Sequence, residues 1–182
     1  MLFSGIVRDD IDELAAMVAD VCVGYRLFAS PGWEPPAVDE QVRVLQRWIE
    51  DPDFWGERAC VEGALAGHAT VIPAVRHSFR PVSDTSLAHL GHLFVKPEHW
   101  GSGVAPELLA HATGAALAGG FSSMRLFVPA GQARARRFYE REGFVEGGEA
   151  FEGGLGLPAL EYRRPLSLGR AVSLRRARDG TL

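Results

Sequence analysis

The sequence predicts a mixed α/β domain, an α+β arrangement with helices on both faces of one mostly antiparallel sheet. Three observations predict it. Apolar residues recur at helical spacing in some segments and in short β-branched or aromatic runs in others, in the order β-α-α-β-β-β-α-β-α-β-β. Meandering strands precede β-α-β units, which sets helices against both sides of a sheet. A chain of 182 residues, 47% apolar and 23% charged, can bury one core without disulfides or a metal.

Each element has its own signal. Residues 2–8, LFSGIVR, read as a short strand. Residues 10–25 place Ile11, Leu14, Ala15, Val18, Cys22 and Tyr25 on one helical stripe. Asp9 or Asp10 can cap that helix, and acids in its first turn suit the dipole. SPGWEPPA, 30–37, is a Pro/Gly loop carrying Trp33. A second helix spans about 39–50, with Val38, Val42, Leu45 and Ile49 on one stripe, and DPDFWGE breaks it. Strands at 57–62 and 64–75 join at a turn near Gly63, and the polar stretch 76–86 is a loop. LAHLGHLFV, 87–95, is a strand that Pro97 ends. A long helix starts near Gly103 and stops at Gly119 and Gly120; Pro106 must lie in its first turn. A strand at 122–128, a helix at 131–142 and strands at 144–151 and 158–163 complete the sheet. One domain therefore covers 1–166, and the Arg-rich stretch 167–182 is predicted to be a flexible tail.

Composition narrows the function. Nineteen basic and 23 acidic residues give a net charge of −4, unlike a wholesale nucleic-acid binder. No apolar run approaches the roughly 18 residues of a membrane span. The start turns acidic by Asp9, unlike a signal or transit peptide. Cys22 and Cys60 are too few for a disulfide scaffold, which fits a reducing cytoplasm. Residues 1–57 carry twelve acids and four bases, whereas 121–182 carry eleven bases and seven acids. Solvated helix faces of different sign account for this, although a cationic and an anionic ligand could also divide the two halves.

Chemistry is concentrated in HLFVKPEHWGSGVAPELL, 92–109. A strand ends, Pro97 turns the chain, and WGSGVA, 100–105, enters a helix. Gly101 and Gly103 let a ligand approach the backbone, and the free amides of a helix start favour an anion. The P-loop pattern GxxxxGK[ST] is absent, and Pro106 occupies the third position of a GxGxxG.

The run resembles the acyl-CoA-binding motif of the GNAT superfamily of N-acetyltransferases, a strand L-x-V-x-P, then [QR]-x-x-G-x-[GA], then a helix. Leu93, Val95, Pro97, Gly103 and Ala105 match it, and Trp100 stands where the family usually has Gln or Arg. The family's second motif, N-x-x-A-x-x-[FY]-Y-x-x-x-G-F, is matched by QARARRFYEREGF, 132–144, with Gln132 in place of the asparagine. The resemblance implies a sheet that splays open after the strand 87–95. It implies that acetyl-CoA, as cosubstrate and without a metal, pairs its pantetheine with Leu93, Phe94 and Val95. The pyrophosphate would rest on the amides of Gly101, Ser102, Gly103, Val104 and Ala105, with Trp100 also among the cofactor-binding residues. Gln132 and Phe138 would close the other side of the cleft.

By the same resemblance, Tyr139 lies where the family places the general acid that protonates the departing CoA sulfur. Strict alternation along 87–95 puts His89 on one face with Gly91, Leu93 and Val95, and His92 on the other. His89 is therefore the candidate base, and a half-buried structural histidine is the competing reading. Cys22 and Cys60 read as small core residues, which favours direct transfer over an acyl-cysteine.

In the family, the first two helices and the loop after the last helix line the acceptor site, here about 24–37 and 145–157. Tyr25, Phe28, Trp33, Trp48, Phe54 and Trp55 bring aromatics to an acid-rich region, which would suit a cationic amine. Helix packing beside an acidic surface explains the same residues. The expected function is acetyl transfer to an amine, most simply a small molecule. A protein or peptide amine, or a non-catalytic acyl-CoA-binding regulator, are the alternatives. Dimers are common in the family, and no residue pattern here specifies an interface.

Overall fold

A computed structural model describes residues 1–167 of the chain. The expected tail, apart from Ser167, lies outside the described residues. The strands are β1 (Leu2–Gly5), β2 (Trp55–Val61), β3 (Ala64–Pro73), β4 (Leu87–Val95), β5 (Ser123–Pro129), β6 (Val145–Glu152) and β7 (Pro158–Pro165). The helices are α1 (Ile11–Val23), α2 (Val38–Ile49), α3 (Val104–Ala118) and α4 (Ala133–Arg141). The predicted order is the observed one. Its ends differ where single turns of 3-10 helix intervene: β1 stops at Gly5, and β3 gives way at Ala74–Arg76.

The seven strands form one sheet in the order β1-β2-β3-β4-β5-β7-β6. Every pairing is antiparallel except β4 with β5, which the α3 crossover makes parallel. That parallel pairing runs from Leu87↔Ser123 to Leu90↔Leu126 and stops. Beyond it, Phe127–Pro129 continue along β7, and Gly91–Val95 continue along β3. The two halves of the sheet part there, leaving a V whose walls are β4 and β5.

A core of α3 and α4 residues, including Leu108, Leu109 and Tyr139, packs on one face with Leu90, Val95 and Leu126. The other face carries α1 and α2, through Leu14, Met17 and Leu45. Asp10 precedes α1, but its side chain accepts the Val7 amide at 2.8 Å and pairs with Arg58 at 2.9 Å instead of capping the helix. A buried cation crosses between layers: Arg125 is 1% exposed and donates to the carbonyls of Ala74 (3.3 Å) and Arg80 (2.5 Å). It thereby ties the 74–80 segment down onto β5.

Candidate active site

The open edge of β4 is the first part of the site. Lys96 donates its amide to Ala66 of β3, so the alternation of an antiparallel ladder turns the main-chain groups of Leu93 and Val95 away from β3, into the V. The carbonyl of Val95 is occupied by the Trp100 indole N–H at 2.9 Å. The Leu93 groups and the Val95 amide are left to receive an extended ligand.

The second part is the turn before α3. Gly101 and Gly103 have φ of +84° and +93°, a region that L side chains rarely enter. This reversal leaves the amides of Gly101, Gly103, Val104 and Ala105 without main-chain acceptors. Pro106 lies in the first turn, as its missing N–H requires. Such amides at the start of a fifteen-residue helix are an anion cradle. The Ser102 amide differs from the expectation. Ser102 spends its amide and its hydroxyl on the His99 carbonyl, at 3.3 and 2.6 Å. Val104 buries its side chain in the core, so only its amide faces outward.

Opposite the cradle stands α4. Arg134, Arg137 and Arg141 line the same groove, with Arg134 placed 4.5 Å over the Trp100 ring. Their spacing of three and four residues sets them on one helical face. That spacing is present in the sequence, interleaved with the aromatic motif on the same helix. The groove has a volume of about 460 Å³ and is flanked by Leu93, Val95, Gly103, Gln132 and Phe138.

A second cavity, about 300 Å³, opens on the far side of the V. Tyr25, Leu93, Phe94, Ala135 and Tyr139 line both spaces, so the two meet at Tyr139. Burial pushes the Tyr139 hydroxyl well above its ordinary range, so it stays protonated at neutral pH. Tyr25 is pushed up by burial and by neighbouring Cys22 and Tyr139, and the Gln132 side chain pulls it the opposite way.

The facing of His89 is a correction. Along the β3–β4 ladder, Thr70 pairs with His92 and Val71 with Leu90, so Gly91 has no partner. This β-bulge inverts the alternation. His89 shares a face with His92 and Phe94, opposite His68, Thr70 and Ile72, while Leu93 and Val95 face the α3 side with Leu90. Only glycine fits the bulge, because a Cβ there would meet Trp48 at 2.7 Å. His89 nevertheless lines the second cavity.

Other histidines join it. His77 comes from the loop side, with its ring centroid 4.3 Å from that of His89. Burial holds His77 down at about 4, helped by Arg125 and Arg80. Burial holds His89 well below the ordinary histidine range, followed by His77, Arg125 and His92. His92 lines the cavity too and meets His68 at 3.0 Å between Nδ1 and Nε2. Burial puts His68 at about 3 and, with His68 beside it, lowers His92 strongly. His111 pairs instead with Glu57, and His99 lines the cofactor groove.

Of the expected aromatic wall, Tyr25 and Trp48 line the second cavity. Phe28 covers Gly131, Trp33 donates to the Leu155 carbonyl, and Trp55 lies in β2 against the core. Several acids of the first half pair elsewhere, Glu34 with Arg26, Asp39 with Arg43 and Asp51 with Arg76. Packing beside an acidic surface is therefore the correct account of that region. Cys22 is fully buried, and burial pushes its thiol up to about 12. Among the described residues, no three His, Cys, Asp or Glu side chains converge as metal ligands would.

Comparison with known proteins bears on this arrangement. The acetyltransferase (GNAT) family matches residues 19–144. No curated protein matches the chain. Among solved structures, a ribosomal-protein-alanine N-acetyltransferase from Brucella melitensis is 22% identical, covering 91% of this chain and all of its own, with a TM-score of 0.69. An N-acetyltransferase from Staphylococcus aureus Mu50 is 17% identical, covering 91% of this chain and 98% of its own, with a TM-score of 0.70. The Salmonella typhimurium protein yncA, solved with its cofactor acetyl-CoA, is 14% identical over 93% of this chain and 95% of its own, with a TM-score of 0.67. These likenesses establish the fold, and the family match over the strand, cradle and α4 establishes the kinship: the chain belongs to the GNAT family of acetyltransferases.

Proposed function

We propose that this protein is an acetyl-CoA-dependent N-acetyltransferase that passes acetyl directly to a small amine held in the second cavity. One observation carries the reading: a groove with an anion cradle at one end meets a separate cavity at Tyr139. A thioester laid along β4 brings its reacting carbon to the junction, and an amine reaches it from behind. The amine nitrogen bonds the carbonyl carbon, and the C–S bond breaks with its electrons on sulfur. Tyr139 gives its proton to that sulfur, and the nitrogen gives up one towards solvent through water, with His89, kept neutral by burial, as a hydrogen-bond acceptor on that path. Positioning supplies much of the remaining acceleration.

The burial of Cys22 supports direct transfer over an acyl-cysteine. The size of the cavity, about 300 Å³, suits a small acceptor better than a peptide. The free Cys22 and Cys60 suit a reducing cytoplasm. The test is calorimetric titration with acetyl-CoA and CoA, then release of free thiol over a panel of amines. Micromolar binding that Gly103→Glu abolishes, together with amine-dependent thiol release, is the expected result. Binding without turnover on any amine would leave a non-catalytic acyl-CoA sensor.

A further inference from the structure

The acceptor cavity has a chemistry that the acetyltransferase reading does not specify. Beyond Tyr25, Phe94 and Tyr139 at the junction, flat rings from four places line it: Trp48 of α2, His89 and His92 of β4, Phe127 of β5, and His77 and Phe79 of the segment after β3. They touch one another edge to face or tilted, at 4.5 Å for His77–Phe79, 4.7 Å for His89–Phe127 and 4.8 Å for Trp48–His92. Among the described residues, no aspartate or glutamate lines the space.

The charges that reach it are positive. Arg47 stands in its lining, and Arg125 and Arg80 lie 4.9 and 6.0 Å from the Phe127 centroid. These arginines already hold the Phe127 ring as cations, and the neighbouring histidines are neutral. The reacting amine must enter as the free base, and any further ammonium group, which stays protonated, would lose its hydration here and gain no counter-charge. A flat ring would gain edge-to-face contacts with the rings already present. A volume near 300 Å³, at the low end for ligand sites, admits one ring and a short arm. His89 has a buried Nδ1 without a hydrogen-bond partner, a group that an entering polar hydrogen or lone pair can satisfy.

Resting on the acetyltransferase reading, we propose that the acceptor is a monoamine bearing one aromatic ring and no second positive charge. Its ring sits among Trp48, Phe79 and Phe127, and its nitrogen points to Tyr139. Polyamines and aminoglycosides, with several ammonium groups, are excluded by the same lining.

The experiment uses the full-length protein saturated with CoA, titrated by calorimetry with 2-phenylethylamine, aniline and spermidine. Thiol release from acetyl-CoA is then followed with each amine. The expected result is heat from an aromatic amine, and kcat/KM above that of spermidine by on the order of ten- to a hundred-fold. Trp48→Ala should collapse that ratio. Val44→Glu, which adds a carboxylate to the cavity lining from α2, should move it toward spermidine. Spermidine equalling or beating both aromatic amines overturns the inference and leaves the acetyltransferase reading standing. Aromatic amines that bind without thiol release from any amine sink the acetyltransferase reading and leave the cavity's occupant in place. No heat from either aromatic amine overturns the inference outright.

Discussion

Trp100 donates its indole N–H to the carbonyl of Val95 across 2.9 Å, joining the turn before α3 to the open edge of β4. The residue that departs from the family pattern is thus a brace between the two surfaces expected to hold the cosubstrate. Arg134, stacked on its outer face, extends the brace to α4. Trp100→Phe keeps the ring and removes the donor, leaving the Val95 carbonyl free to take a different partner. A lost hydrogen bond of about 1 kcal/mol corresponds to roughly a five-fold rise in the KM for acetyl-CoA. Steady-state kinetics check this; a drop in kcat with KM unchanged would assign Trp100 to chemistry instead.

Tyr139 lies where the groove and the acceptor cavity meet, with its hydroxyl held protonated by burial. Tyr139→Phe removes only the oxygen. Turnover should fall by on the order of a hundred-fold, a typical cost of losing a general acid. The affinity for acetyl-CoA should change less than two-fold, because the ring still fills its place. Calorimetry and thiol release separate the two effects, and unchanged turnover would remove Tyr139 from the mechanism.

The order of elements was legible in the sequence because apolar periodicity encodes it. So was the cradle, because Gly101, Gly103 and Pro106 each answer a local backbone demand. The facing of His89 was not. Alternation assumes a regular ladder, and the bulge at Gly91, against which Trp48 of α2 packs, breaks it. His77 was invisible for a related reason: a loop carries it, and Arg125 from a distant strand puts the loop where it is. In the acid-rich first half, the Asp39–Arg43 pair at i,i+4 is a local pattern, whereas the pairing of Asp51 with Arg76 depends on tertiary structure that no local pattern announces.

Arg125 is the fastener of the acceptor cavity's roof. Its guanidinium reaches two carbonyls at the ends of the 74–80 segment, and Glu161 lies 3.9 Å away. Arg125→Met would leave those two carbonyls without their donor, while Glu161 keeps Arg163 as its partner. The expected loss is about 3 kcal/mol of stability, read as a lower urea midpoint at unchanged slope. In the surviving folded protein the KM for the amine should rise more than the KM for acetyl-CoA, since the segment carries His77 and Phe79. Equal changes in both would make Arg125 a general support of the fold.

The buried histidines set the acid limit of stability. His77 is held at about 4 and His68 at about 3, mainly by burial, against an unfolded value near 6.5. Both folded values are depressed, so the neutral forms belong to the native state. Above pH 6.5 neither state binds the protons, and the folded protein keeps its full stability. As pH falls below 6.5, the unfolded chain takes up protons that the folded chain refuses, so stability declines. The decline should continue to about pH 3–4, where the folded histidines titrate and this contribution levels off. Each histidine bears up to 1.36 kcal/mol per pH unit in that window. His77→Gln cannot gain that proton, so its urea midpoint should fall less steeply than that of the wild type between pH 6.5 and 4. Parallel slopes for the two proteins would show that His77 is solvated and protonated in the native state, and the cavity would then carry one more positive charge at mildly acidic pH.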